Sequence, residues 1–226
     1  DGRLSTFEIF IALVKGGIQV TIQVTFFSTI LAVILGFISG LARMSRYKII
    51  RFISGAYIEI FRGTSLLVQL FWIYFALPII GIRFSPISTG ILAIGLNYGA
   101  YCSEIVRSAI QSVPAGQTEA CIALNMTKAQ RMRRVILPQA FTMMLPNLGN
   151  QLIELLKSTS LVSMITLNDL TYQGNILNAT TLETTKIYTM LLAIYFIIAL
   201  PITQCTKFLE RKFSEGRAGW PPGPQA

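Results

Sequence analysis

Long apolar runs, separated by short polar segments, make up most of the chain. Five of these runs approach the ~20 residues that a helix needs to cross about 30 Å of hydrocarbon. They lie at 16–42, 64–80, 87–108, 141–167 and 187–208. The pattern therefore predicts an all-α integral membrane protein with five transmembrane helices.

Two further segments differ from these runs. Residues 49–62 mix apolar side chains with Arg51, Glu59 and Arg62, so we expect an interfacial helix that leads into the second span. Residues 213–226 contain three of the nine prolines, so we expect a disordered tail there. Residues 1–212 then form a single transmembrane domain.

Composition supports a membrane location. Of the 226 residues, 53% are hydrophobic and only 13% are charged, which is too apolar for an ordinary soluble domain. The net charge of +9 comes from basic residues that lie beside apolar runs. Lipid headgroups, rather than nucleic acid, are therefore the expected partners of these cations.

The chain offers little for catalysis or metal binding. It has no histidine, and its three cysteines are scattered without the spacing of a metal site or a disulfide framework. A phosphate-binding loop of the GxxxxGK[ST] kind is also missing. We therefore predict no catalytic residue, no metal and no cofactor in this chain.

The distribution of Lys and Arg between the spans predicts an orientation. Fourteen basic residues lie in the loops after spans one and three and after span five, against four on the other side. Because basic residues are enriched in cytoplasmic loops, the N-terminus should face outward and the C-terminus the cytoplasm.

Residues 116–138 form a charged, basic segment between strongly apolar runs. Thr118 is expected to cap a short helix there, with Glu119 in its first turn. The side chains of Ala120, Ala123 and Leu124, at i, i+3 and i+4, would form a narrow apolar ridge that can dock into a groove on a partner. Asparagine at the end of the ridge tolerates the left-handed backbone of a sharp turn. The predicted docking residues are Gly116, Glu119, Ala120, Ala123, Leu124 and Asn125.

Two spans carry polar side chains at helical spacing. The stripes are Asn97, Tyr101, Glu104 and Ser108 in span three, and Asn147, Gln151, Glu154 and Ser158 in span four. Polar groups at membrane depth face protein or water rather than lipid. The candidate substrate-binding residues are Asn97, Gln151, Glu154, Lys157, Ser158 and Ser160.

Several roles remain open at this point. Glu154 and Lys157 either neutralise each other or hold the two charges of a zwitterion. The neutral side chains either bind the ligand or join helices. Glu104 is closer to the cytoplasmic end and should pair with Arg107. Two GxxxG patterns, Gly36/Gly40 and Gly95/Gly99, predict close helix packing.

Four segments resemble a known family. Residues 116–140, GQTEACIALNMTKAQRMRRVILPQA, resemble the "EAA" loop through which import-type ABC permeases engage their ATPase. Residues 57–69, 99–107 and 157–163 resemble the "FRGTP", "AYxxEIxR" and "KxTSLVS" segments of the polar amino acid ABC transporter permease family, with Ser65 in place of the proline. The resemblance extends over roughly residues 16–210, nearly the whole chain.

The resemblance implies the permease subunit of an ATP-driven importer in the bacterial inner membrane. It would carry a polar amino acid or a similar small zwitterion, with ectoine or hydroxyectoine as an alternative substrate. The implied partners are a cytoplasmic ATPase dimer that binds ATP and Mg²⁺, a second identical or homologous permease subunit and an extracytoplasmic binding protein. A secondary transporter or channel without an ATPase is the alternative class.

Overall fold

A computed structural model of the chain describes residues 4–215, which are almost entirely helical and contain no strand. The prediction of an all-α fold is confirmed. The tail prediction for 213–226 lies outside the described residues except for 213–215, which are helical. The helices are α1 (Thr6–Arg43), α2 (Lys48–Gly63), α3 (Leu66–Ile80), α4 (Pro86–Gln111), α5 (Ala115–Ala123), α6 (Leu137–Ser158), α7 (Leu170–Thr181) and α8 (Thr184–Glu215).

Local departures from α-helical geometry occur within α1 and α3 and directly before and after α6. α1 and α3 contain π-helical segments at Val14–Ile18 and Trp72–Ala76. α6 follows directly on Lys128–Arg131 and a π-helical segment, Met132–Ile136, and it continues into a 3₁₀ turn at Thr159–Ile165.

Helices occupy all five predicted spans, but they differ in apolar character. Within residues 4–215, α1 and α8 are long and apolar enough to cross a membrane alone, with mean hydropathies of 2.2 and 1.8. A third candidate is the pair α2 and α3, which are bent by 107° at the break between them. α4 and α6 have sufficient length, 26 and 22 residues, but carry the predicted polar stripes. Their polar faces therefore need protein or water beside them.

Small residues let α1 and α4 pack closely. A Cβ on Gly36 would lie 2.6 Å from the Cβ of Cys102, and one on Gly40 would lie 2.9 Å from the carbonyl oxygen of Ser103. On α4, a Cβ on Gly95 or Gly99 would lie similarly close to side chains of α1 or α2. These contacts confirm that the two GxxxG patterns mark close helix packing, and α1 with α4 forms the most extensive helix pair of the described chain.

The helix predicted at 49–62 is present as α2, which packs against both α4 and α1. The Tyr57 hydroxyl donates to the carbonyl of Leu96, near the middle of α4. One turn earlier on α2, the Ser54 hydroxyl donates to the carbonyl of Ser39 on α1, at 2.7 Å. These hydrogen bonds hold α2 against the bundle. Ile58 of α2 is buried, whereas Ile49, Phe52 and Ile53 are exposed.

The α1–α4 contact leads to a stability prediction. Gly36→Ala places a methyl group within 2.6 Å of Cys102, so the helices must separate, and overpacking of this kind costs about 1–3 kcal/mol. We expect a lower melting temperature in detergent. Gly63→Ala is the matched control, since nothing lies within 4 Å of its Cβ position. Equal melting temperatures for the two variants would contradict close α1–α4 packing.

Candidate functional site

A polar cavity of about 370 Å³ lies between α4, α6 and the bend that joins α2 to α3. Four of the six predicted substrate-binding residues line it: Asn97, Gln151, Glu154 and Ser158. The remaining lining residues are Thr64, Leu66, Tyr98, Tyr101 and Leu161. The two polar stripes predicted on separate spans thus meet at one cavity.

Lys157 and Ser160 lie outside the lining. The Lys157 Nζ is 2.8 Å from Glu154 Oε1, so the predicted pair is formed, and these side chains are 63% and 55% exposed. Ser160 Oγ donates to the carbonyl of Lys157. Ser160 departs from the helical spacing because α6 ends at Ser158, and a 3₁₀ turn has three residues per turn instead of 3.6.

Asn97 shapes the cavity wall through bonds that also hold the α2–α3 bend. Its side chain is only 5% exposed. The amide nitrogen donates to the carbonyl of Phe61 and to Gln69 Oε1, both at 3.0 Å. Gln69 in turn donates to Thr64 Oγ1 at 2.6 Å. Both donor hydrogens of Asn97 are therefore used within the protein, and its oxygen is what it can offer to a ligand.

The site also contains residues that sequence reasoning missed. The Tyr98 hydroxyl hydrogen-bonds to the Ser158 hydroxyl and donates to the carbonyl of Glu154 at 3.2 Å. Tyr98 therefore joins α4 to α6 beside the cavity. The only hint of this role in the sequence was that Tyr98 directly follows Asn97. Thr64 could not be assigned without knowledge of the bend that turns it toward α4.

Glu104 is the centre of an ion-pair cluster at one end of this region. Its predicted bond to Arg107 is present at 3.0 Å, and Arg43 and Arg62 approach it at 3.8 and 4.0 Å. The cluster thus joins α1, α2 and α4, with three cations around one carboxylate. The Arg62 guanidinium also lies 5.5 Å from the ring centre of Tyr101, a cation–π distance that connects the cluster to the cavity lining.

The predicted docking loop forms α5 and the turn that follows it. α5 begins at Ala115 after Pro114, not at Thr118, so the prediction that Thr118 caps this helix and that Glu119 lies in its first turn is wrong. Proline fixes its own φ and so starts the helix one turn earlier. Asn125 has a φ of 57°, which confirms the left-handed turn.

The two sides of α5 differ in exposure. The predicted docking residues Gly116, Glu119, Ala120, Ala123, Leu124 and Asn125 are exposed. Leu124 is 75% exposed, whereas Cys121 is buried. On the inner side Gln139 Nε2, on α6, donates to Gln117 Oε1 at 3.0 Å. The apolar ridge is therefore exposed, and the opposite face of α5 is attached to α6.

This combination is that of a membrane permease: a helical bundle with a polar cavity between its inner helices and an exposed helical loop. Residues 32–215 match the family described as "Binding-protein-dependent transport system inner membrane component". The chain belongs to this family, and it is a permease component of an ABC importer.

Curated relatives and a solved structure agree with this family. The chain is 46% identical to a probable amino-acid ABC transporter permease of Sinorhizobium fredii, over 89% of this chain and 87% of that protein. It is 40% identical to the L-cystine transport system permease protein TcyB of Bacillus subtilis, over 90% and 87%. A crystal structure of an amino acid ABC transporter with histidines superposes with a TM-score of 0.81 at 39% identity, over 90% and 94%. The ectoine alternative has no support among these relatives.

The Asn97 hydrogen bonds lead to a second prediction. Asn97→Leu keeps the residue's approximate size but leaves the Gln69 oxygen without its donor, while the carbonyl of Phe61 keeps only the bond from Gln69. An unsatisfied buried group costs about 1–3 kcal/mol, so we expect a lower melting temperature in detergent. Gln111→Leu, at the exposed end of the same helix, is the control. A variant as stable as this control would show that Asn97 does not hold the bend.

Proposed function

We propose that this chain is the transmembrane permease subunit of an ATP-driven importer that carries a polar amino acid or a similar small zwitterion into the cytoplasm. The main support is the polar cavity, where an acid, two amides and several hydroxyls converge between the middle of α4 and the C-terminal part of α6. The names of its relatives, which include amino-acid, cystine and glutamine transport permeases, support an amino acid substrate.

In this proposal the ion pair between Glu154 and Lys157 opens, and each side chain then binds the substrate instead. Both side chains are more than half exposed, and exposed ion pairs contribute only about 0–1 kcal/mol, so separating the pair costs little. The Glu154 carboxylate would then accept hydrogen bonds from the substrate ammonium, and Lys157 would turn to the substrate carboxylate. Gln151, Ser158 and the Asn97 oxygen would supply neutral hydrogen bonds. Ser160 would support Lys157 through its backbone.

The exposed ridge of α5 would dock into a cytoplasmic ATPase dimer. ATP and Mg²⁺ would bind to that dimer, and none of the chemistry would occur in this chain. Movement of α5 would reach α6 through the bond between Gln117 and Gln139, and α6 carries Gln151 and Glu154 of the cavity. ATP hydrolysis on the partner would in this way change the shape of the substrate site.

Two further partners complete the proposed assembly. The cavity is open on one side, so a second identical or homologous permease subunit would enclose it. A binding protein outside would deliver the substrate. The charge distribution supports an N-terminus that faces outward, with α5 and the C-terminus in the cytoplasm of a bacterial inner membrane. The family favours this assembly over a secondary transporter or channel.

The docking proposal predicts that Ala123→Arg abolishes co-purification of the ATPase, because a long charged side chain cannot enter a groove shaped for a small apolar ridge. Membrane insertion should be unchanged, since Ala123 is exposed. The control is Thr185→Arg, which adds the same charge at an exposed position of α8. Recovery of the intact complex with Ala123→Arg would refute docking through α5.

The substrate proposal predicts that Glu154→Gln with Lys157→Met removes binding while the complex stays stable. Losing one charge-assisted hydrogen bond of ~1.5–3 kcal/mol should raise the half-saturating substrate concentration about ten- to a hundredfold. The measurement is substrate-stimulated ATP hydrolysis, with glutamine and cystine as the first substrates.

A matched control is available on the same chain. Glu183 and Lys186 form another ion pair at i, i+3, with 3.0 Å between Nζ and Oε2, and neither residue lines the cavity. Glu183→Gln with Lys186→Met should leave the half-saturating concentration unchanged. An unchanged value in the Glu154/Lys157 variant as well would exclude a binding role for that pair.

A further inference from the structure

A second cavity, of about 440 Å³, lies between the C-terminal end of α1 and the outer side of α2. It shares no lining residue with the substrate cavity. Three cations and one acid contribute to its walls. The lining residues are Arg43, Lys48, Arg51, Phe52, Gly55, Ala56 and Glu59.

The cations of this cavity are available to a ligand. Among the described residues, neither Lys48 nor Arg51 pairs with an acidic side chain, and Arg51 is held by a bond to the carbonyl of Ser45 at 3.2 Å. The Arg43 guanidinium lies over Gly55, where a Cβ would be 3.8 Å from its Nη1. Glu59 lies one turn beyond Gly55, so the cationic end of the cavity holds Lys48, Arg51 and Arg43.

Apolar side chains flank this cationic end. Ile49, Phe52 and Ile53 are 74%, 76% and 63% exposed, and they recur at i, i+3 and i+4 on one side of α2. A phosphate group suits two guanidinium groups and an ammonium, and acyl chains suit the neighbouring apolar surface. We propose that this cavity binds the headgroup of an anionic phospholipid in the leaflet that this end of the bundle faces.

Arg43 connects the lipid site to the substrate cavity. Its Nη1 is also 3.8 Å from Glu104, and Glu104 reaches the cavity lining through Arg62 and Tyr101. A bound phosphate and the Glu104 carboxylate therefore compete for one guanidinium. Because such coupling is reciprocal, the lipid that occupies the site changes the ion-pair cluster beside the substrate cavity.

Retention of lipid by the purified full-length chain in detergent tests the site. Native mass spectrometry would compare phosphatidylglycerol with phosphatidylcholine as added lipids, and phosphatidylglycerol should be retained preferentially. Lys48→Gln with Arg51→Gln should weaken this retention about 25-fold, about fivefold for each cation at ~1 kcal/mol. Arg133→Gln with Arg134→Gln removes the same charge from exposed positions outside the cavity and should have little effect.

Two variants distinguish binding of the headgroup in this cavity from general electrostatic attraction of anionic lipid to the protein. Gly55→Leu keeps the net charge but fills the cavity, so it should reduce retention. Glu104→Gln releases Arg43 and should increase it. A photoreactive phenylalanine in place of Phe52 should cross-link to lipid in membranes.

The proposal fails if the two double variants lose lipid equally, if Gly55→Leu retains lipid as the wild type does, or if the Phe52 cross-link goes to protein. Complete displacement of lipid by inorganic phosphate would point to a soluble anion and would also overturn it. Unchanged retention in Glu104→Gln would overturn the competition for Arg43. Lipid retention is measured without transport, so its failure would leave the proposed function untouched.

Discussion

The break between α2 and α3 frees backbone groups that must find partners inside the protein, because lipid offers none. Asn97 and Gln69 supply these partners: both amides donate to the carbonyl of Phe61, and Gln69 also donates to Thr64. The chain can therefore turn by 107° within the bundle. Thr64 and Leu66 flank this turn and line the cavity, so the shape of the cavity depends on the same hydrogen bonds that stabilise the bend.

Periodicity in the sequence predicted the helices and most of the cavity. Gln151, Glu154 and Ser158 lie on one face of α6 because a regular helix repeats every 3.6 residues, and the structure brings that face to Asn97 on α4. The prediction weakened where regular geometry ends. Ser160 lies in a 3₁₀ turn, and Pro114 instead of Thr118 is the N-cap of α5. The amphipathic pattern of α2 predicted the helix but not the hydrogen bonds by which Ser54 and Tyr57 attach it to α1 and α4.

Contacts between distant segments could not be read from the sequence. The bond from Glu104 to Arg107 was predicted because it lies within one helix turn, whereas Arg43 and Arg62 come from other helices. The two acids near the cavity consequently differ in character. Glu104, surrounded by three arginines, braces three helices. Glu154 has one exposed partner and is the acid that can change partners at low cost.

The burial of Cys121 gives α5 a chemical reporter of its own. The thiol is 3% exposed on the inner face of α5, so a reagent can reach it only when the helix separates from the residues beneath it. The rate of thiol modification therefore measures the free energy of that local opening. Cys205, exposed on α8, supplies an internal reference for reagent access within the same molecule. Alkylation kinetics measured at Cys121 thus follow the motion of α5 at a native side chain.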